Sequence, residues 1–154
     1  MSESAQVRSS PVAIIRAVLG VIVGGIVWMY GFLLLARVLL MLWPAYAVPA
    51  RLWVRTGAYT FLPAMSVCNA SFWIIAEIAG GWLAAVIARR AAAVWTLAAL
   101  VMGYLCFMHL YYAWHQLPWW YNLIVAFSSG PAVLLGGRLG ARPSPALAPA
   151  RLSG

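Results

Sequence analysis

Long apolar runs separated by short polar stretches follow one another along this chain, and they predict helices that cross a lipid bilayer. The predicted helices cover residues 14–42, 59–88, 91–113 and 119–138. An uncharged run of about 20 residues is enough to span roughly 30 Å of hydrocarbon. The pattern therefore predicts an all-α integral membrane protein, a four-transmembrane-helix bundle connected up-down-up-down.

Prolines indicate where these helices begin or bend. Pro63 is expected in the first turn of the second helix, where proline is tolerated. Pro131 lies inside the fourth helix and predicts a kink there. The segment 43–55 mixes aromatic residues with arginine, which suits a stretch lying along the lipid headgroups. The two ends, 1–10 and 141–154, are expected to be disordered.

The composition points to the same environment. Hydrophobic residues make up 66% of the chain and charged residues 8%, whereas soluble domains average about 25% charged residues. A soluble fold of 154 residues would leave much of this apolar surface in water. The lipid bilayer is therefore the first predicted partner.

All ten basic residues are arginines, and the net charge is +8. They flank the apolar runs instead of forming a basic stripe, so no nucleic acid is expected as a partner. With an even number of helices both termini share one side, which holds seven arginines against three on the other. The positive-inside rule then predicts cytoplasmic termini. Abundant alanine and arginine without lysine suggests a bacterial protein, and hence the inner membrane.

Small residues recur at four-residue spacing and predict where the helices pack. In lipid no hydrophobic force brings helices together, and small residues let their backbones approach. The predicted packing residues are Gly20, Gly24, Gly80, Ala84, Gly136 and Gly140. They fall in the cytoplasmic half, while bulky aromatic residues occupy the outer half. We expect a bundle that is narrow inside and wide outside, where the width holds either a cavity or packed rings.

An acidic residue, Glu77, falls inside a predicted transmembrane helix near the bilayer midplane. A carboxylate there is costly, so the side chain should be neutral, paired or facing water. At the same depth the other helices place Trp28, Tyr30, Tyr104, Ser128 and Ser129. Glu77, Tyr104, Ser128 and Ser129 form our candidate intramembrane polar site. Either Glu77 binds and releases a proton, or it donates one hydrogen bond between helices.

Other motifs give little sign of chemistry. Cys68 and Cys106 lack a metal-binding spacing. His109 is predicted at a depth about 9 Å from that of Glu77, too far for direct cooperation. The sequence contains no nucleotide fingerprint, and no serine, histidine and acid constellation in it suggests a hydrolase. We therefore expect no enzyme activity, no cofactor and no metal.

Two hypotheses about function follow. The first is a membrane protein for helix packing or assembly, or for binding a lipid, another membrane protein or a second copy of itself. The alternative is a small proton-coupled transporter or exporter centred on Glu77. In outline the chain resembles the small multidrug-resistance exporters, which are short four-helix chains with an acidic residue in the membrane. Their acid lies in the first helix, whereas Glu77 lies in the second.

Overall fold

The computed structural model describes residues 10–141, and this part of the chain is helical without strands. The predicted disorder of 1–10 and 141–154 therefore lies almost entirely outside the described residues. The helices are α1 (Pro11–Leu42), α2 (Ala47–Thr56), α3 (Pro63–Ala88), α4 (Ala91–Cys106) and α5 (Trp119–Gly140). A short 3₁₀-helix, Pro44–Tyr46, precedes α2, and a π-helical turn, Phe107–Tyr112, extends α4.

Within residues 10–141, four helices are long and apolar enough to cross a membrane. They are Pro11–Leu42, Pro63–Ala88, Ala91–Tyr112 and Trp119–Gly140. This result confirms the predicted all-helical class and the four apolar helices that fit an integral membrane protein.

The sequence explains where the long helices begin. The Ser10 hydroxyl accepts a hydrogen bond from the Ala13 amide at 3.3 Å, and so caps α1. Proline occupies the start of α3, and the preceding Leu62 is extended, as a residue before proline prefers to be. For this reason α3 begins at Pro63, four residues later than the predicted start at 59.

The segment between α1 and α3 holds a helix that the sequence pattern did not predict as one. The ten residues of α2 are amphipathic, and the helix ends at Gly57, whose φ is +70°. Glycine adopts this left-handed conformation without a steric penalty. The Gly57 amide donates to the carbonyl of Trp53 at 2.9 Å and closes the last turn.

Helix α5 continues through Pro131 without a break. Proline lacks the amide that would donate a hydrogen bond to the carbonyl of Phe127, so one backbone hydrogen bond of the helix is missing there. The single O–H of Ser129 lies within hydrogen-bond distance of the backbone carbonyls of Val125 and Ala126, at 2.7 and 3.0 Å, so its proton is shared between them just before Pro131.

Helix α3 packs mainly against α1 and α5. On the α1 side, Gly24 and Gly80 face each other so closely that side chains do not fit. A Cβ atom on Gly24 would lie 2.7 Å from the Gly80 carbonyl oxygen, and one on Gly80 would lie 2.6 Å from that of Gly24. One turn away, a Cβ on Gly20 would lie 2.9 Å from the carbonyl oxygen of Ala84.

The α5 side of α3 is equally close. A Cβ atom on Gly136 would collide with the Ile78 carbonyl, and one on Gly81 would collide with the Val133 carbonyl. A Cβ on Gly140 would lie 2.5 Å from the carbonyl oxygen of Trp82. Helix α3 is thus held between two neighbours at backbone contact distance.

We expect Gly136→Ala to destabilise the protein by about 1–3 kcal/mol, because the added methyl group forces two helix backbones apart. Gly103→Ala is the matched control, since nothing lies within 4 Å of a Cβ at that position. Alanine there should be neutral or stabilising by up to about 1 kcal/mol through helix propensity. Thermal unfolding in detergent measures both. Equal stability of the two variants would contradict the packing argument.

Candidate functional site

The four residues of the predicted polar site occupy different environments. Glu77 is 0% exposed and Ser129 is also fully buried, while Ser128 is half-buried. Tyr104 is 51% exposed and packs edge-on against Trp28, with ring centroids 5.8 Å apart. The ring of Tyr104 therefore lies partly on the outer surface of the bundle and partly against Trp28.

Buried polar atoms without a hydrogen-bond partner mark the middle of the bundle. Among the described residues they are both carboxyl oxygens of Glu77, the Trp28 indole nitrogen and the Ser128 hydroxyl. Glu77 lies one turn before Gly80 and Gly81, where α3 touches α1 and α5. An unpaired buried polar group costs about 1–3 kcal/mol, more if charged. A ligand or proton that forms hydrogen bonds with these atoms would therefore gain more free energy than one that bonds to groups already paired.

A second polar cluster, which the sequence analysis did not identify, lies about two turns of α3 from Glu77. Asn69 connects two phenols at its centre. Its amide nitrogen donates to the Tyr46 hydroxyl at 2.9 Å, and its carbonyl oxygen accepts from the Tyr121 hydroxyl at 2.5 Å. The three residues come from the 3₁₀-helix, α3 and α5, so this cluster joins distant parts of the chain.

A third phenol extends the same cluster. The Tyr59 hydroxyl is hydrogen-bonded to Ser66, whose side chain also donates to the carbonyl of Leu62 at 3.2 Å. Burial raises the pKa of Tyr59, and the hydrogen bond to Ser66 opposes the rise. Burial likewise raises the pKa of Tyr46. Both phenols therefore stay neutral well beyond physiological pH.

The π-helical turn at the end of α4 places a histidine beside this cluster. His109 Nδ1 lies 3.0 Å from the side-chain oxygen Oδ1 of Asn122. Asn122 is fully buried. The Asn122 amide nitrogen in turn donates to the carbonyls of Trp114 and Leu117 at 3.4 and 3.3 Å. The His109 ring centroid lies 5.8 Å from that of Tyr121. π-helical turns often occur at functional sites.

These side chains line a cavity of about 350 Å³, which we call the neutral cavity. Its polar lining comprises Tyr46, Tyr59, Ser66, Asn69, His109, Gln116, Tyr112 and Tyr121, with the indoles of Trp53 and Trp73. Apolar residues of α1, of α2 and of the π-helical turn Phe107–Tyr112 complete the wall. None of the described residues in the lining is an arginine or an acid. A mostly apolar pocket with a few convergent polar groups is typical of small-molecule sites.

One face of α3 leads from the neutral cavity towards the unpaired carboxyl. Ser66, Asn69, Trp73 and Glu77 follow one another at spacings of three and four, which places them on one side of the helix. Trp73 lines the cavity and stacks on Phe32, with ring centroids 3.7 Å apart. The tryptophan thus lies along α3 between the cavity and Glu77.

The remaining candidates of the sequence analysis lie apart from this face. Cys106 is half-buried, and its sulfur donates to the carbonyl of Ala126 at 3.8 Å. Within residues 10–141 no group of three or more histidine, cysteine or acidic side chains is arranged to hold a metal ion. In the sequence, the polar cluster around Asn69 is indicated by two amide side chains, Asn69 and Asn122, inside otherwise apolar helices.

Comparison with models of protein families, with curated proteins and with solved structures found no match for this chain. The class of the protein therefore rests on its own helices and cavity. Four helices long and apolar enough to span a bilayer fit an integral membrane protein.

We expect Tyr59 to link stability to alkaline pH. An unfolded tyrosine loses its proton near pH 10, whereas the raised pKa of folded Tyr59 keeps it protonated to higher pH. The stabilisation is therefore complete below about pH 10 and falls as the pH rises through the folded pKa. Unfolding measured across this range should show a shallower alkaline loss for Tyr59→Phe than for the wild type. The control is Tyr111→Phe, at an exposed phenol. Identical slopes for all three proteins would disprove the linkage.

Proposed function

We propose that this chain is a membrane protein that binds a small neutral amphiphile in the neutral cavity. The observation that carries the proposal is the lining, which combines apolar walls with phenol, amide and imidazole groups and includes no arginine or acid. Such a surface favours an uncharged ligand, since a charged group there would lose water without gaining a counter-charge. A lipid-like alcohol or carbonyl compound has the required chemistry.

The position of the cavity supports entry from lipid. Helix α1 and the π-helical turn contribute to its wall, and their neighbouring outer residues, such as Leu33 and Phe107, are exposed apolar side chains. Tyr46 and Asn69 offer hydrogen bonds to a polar head, while Phe32 and Trp73 offer flat apolar surface to a ring or chain. We propose binding and not catalysis, because His109 is paired with the amide of Asn122 and not with an acid.

We further propose that the bundle is connected up-down-up-down in a bacterial inner membrane, with both termini cytoplasmic and α5 kinked at Pro131. The contact register supports the alternation. Gly20 lies beside Ala88 whereas Gly31 lies beside Ala76, which is the register of antiparallel helices. Of the seven arginines among the described residues, four share the end where α3 meets α4 and three lie towards the other end. The positive-inside rule favours the end with more arginines as the cytoplasmic one.

Fluorescence quenching tests the binding proposal. A brominated long-chain alcohol should quench tryptophan fluorescence saturably in detergent, because Trp53 and Trp73 line the cavity. The matched brominated carboxylic acid and amine should bind more weakly. Tyr46→Phe should weaken binding of the alcohol by about three- to tenfold, the value of one hydrogen bond. Tyr111→Phe, at an exposed phenol, should leave it unchanged. Equal affinity for all three headgroups would overturn the proposal.

A second candidate function is proton-coupled transport, and the unpaired carboxyl of Glu77 favours it. Glu77 lies eight residues beyond Asn69 on the same face of α3, a rise of about 12 Å. A ligand leaving the neutral cavity past Trp73 would approach this carboxyl. Intramembrane acids of this kind often exchange protons with a substrate pathway.

Proteoliposomes test this second function. If Glu77 carries protons, the brominated alcohol should accelerate the collapse of an imposed pH gradient in vesicles holding the wild type. Glu77→Gln removes the titrating group and should abolish the acceleration, while Glu77→Asp should retain part of it. The alcohol should still quench the tryptophan fluorescence of both variants, because Glu77 does not line the cavity. If the Glu77→Gln variant still accelerated the collapse, Glu77 would not be the proton carrier. If the alcohol gave no acceleration with the wild type, the transport function would be ruled out and a binding protein would remain.

A further inference from the structure

A second cavity lies at the opposite end of α4 and α5, and its chemistry differs from that of the neutral cavity. Its volume is about 500 Å³, and it is bounded by the end of α3, the start of α4 and the end of α5. Arg89, Arg90 and Arg138 belong to its lining, together with the indole of Trp95. We call it the arginine cavity.

The arginine cavity has positive charge and no acid in its lining. The chain contains two acidic residues, Glu3 and Glu77. Glu3 lies outside the described residues, and Glu77 lies twelve residues before Arg89, about 18 Å along α3. Among residues 10–141, no carboxylate lines the cavity beside the guanidinium groups of Arg89 and Arg138. A bound anion would complement this charge.

The start of α4 adds to the positive potential. Ala91, the first residue of α4, lines the cavity, and the helix has no side-chain cap. The first amides of a helix lack partners within the helix and carry the positive end of its dipole. The arginines and these amides therefore attract an anion to the same place.

The backbone of Arg89 indicates that its side chain matters at this position. Its φ is +51°, and it is the one non-glycine residue with a positive φ among the described residues. Glycine usually occupies the left-handed position that ends a helix, because other residues lose stability there. An arginine held in this conformation suggests a role for the guanidinium that outweighs the steric cost.

The rest of the arginine cavity is apolar. Trp95 is 62% exposed, and Leu134 and Val94 lie in the same lining. Gly137 and Gly140 add backbone atoms of α5 to the same lining. A lipid chain in contact with these residues would leave its headgroup beside the arginines.

We propose that the arginine cavity binds an anionic phospholipid, with its headgroup phosphate held by Arg89 and Arg138 and an acyl chain along Trp95. Arginine and helix amino termini are both suited to phosphate oxygens. Basic pockets between transmembrane helices on the cytoplasmic side are known to bind anionic lipid headgroups. This site is independent of the neutral cavity, so either proposal can fail alone.

Native mass spectrometry of the full chain in detergent tests the proposal with phosphatidylglycerol and phosphatidylcholine as probes. The wild type should bind phosphatidylglycerol at least about tenfold more tightly than phosphatidylcholine. Arg138→Gln should reduce the affinity for phosphatidylglycerol about tenfold. Arg55→Gln makes the same change of charge at an exposed residue outside the lining, and it should change that affinity less than about twofold.

Arg89→Gly separates lipid binding from folding. Glycine suits the left-handed backbone, so this variant should unfold at the same temperature as the wild type or higher. It should nevertheless lose about tenfold in affinity for phosphatidylglycerol. An equal loss in Arg55→Gln would overturn the proposal in favour of general attraction to net charge. If inorganic phosphate at matched concentration displaced phosphatidylglycerol, a site for free anions would replace the lipid site.

Discussion

The close contact of helix backbones on both sides of α3 is the constraint on which the rest of the structure depends. At Gly24 and Gly80 the backbones of α1 and α3 are too close for a side chain between them, and Gly81 and Gly136 have the same effect between α3 and α5. Helices in lipid gain little hydrophobic free energy by associating, so dispersion between closely packed backbones must hold them together. The same contacts enclose Glu77, which lies one turn away and is fully buried.

The packing of α3 changes along its length, and this change accounts for the neutral cavity. Near Arg89 the neighbouring backbones touch, and small residues such as Ala84 fill the interfaces. Towards Pro63, large rings separate the helices, as where Phe32 stacks on Trp73. Aromatic rings between separated helices leave more unfilled space than helix backbones in direct contact do. The segment that includes Tyr46 covers this end, and a cavity remains beneath it.

The sequence predicts the long helices because the length of an uncharged run is a local property. It does not predict contacts between distant residues. Asn69 lies 23 residues from Tyr46 and 52 from Tyr121, and its position in an apolar helix says nothing about which phenols it meets. The start of α3 was misjudged for a related reason. Phe61 packs against Tyr46 from an extended segment, so an apolar residue before Pro63 serves tertiary packing instead of the helix.

The polar groups of the bundle differ in whether their hydrogen bonds are satisfied, and this difference separates the neutral cavity from Glu77. The phenols and amides around Asn69 and Asn122 bond to one another or to backbone carbonyls, so this network keeps its shape without an outside partner. Glu77 and Trp28 carry buried atoms without partners. Proteins usually violate hydrogen-bond satisfaction at functional sites, where a ligand or proton supplies the missing interaction. The satisfied network therefore forms the wall of the neutral cavity, whereas the carboxyl of Glu77, outside that lining and beyond Trp73 on the same face of α3, still lacks a hydrogen-bond partner.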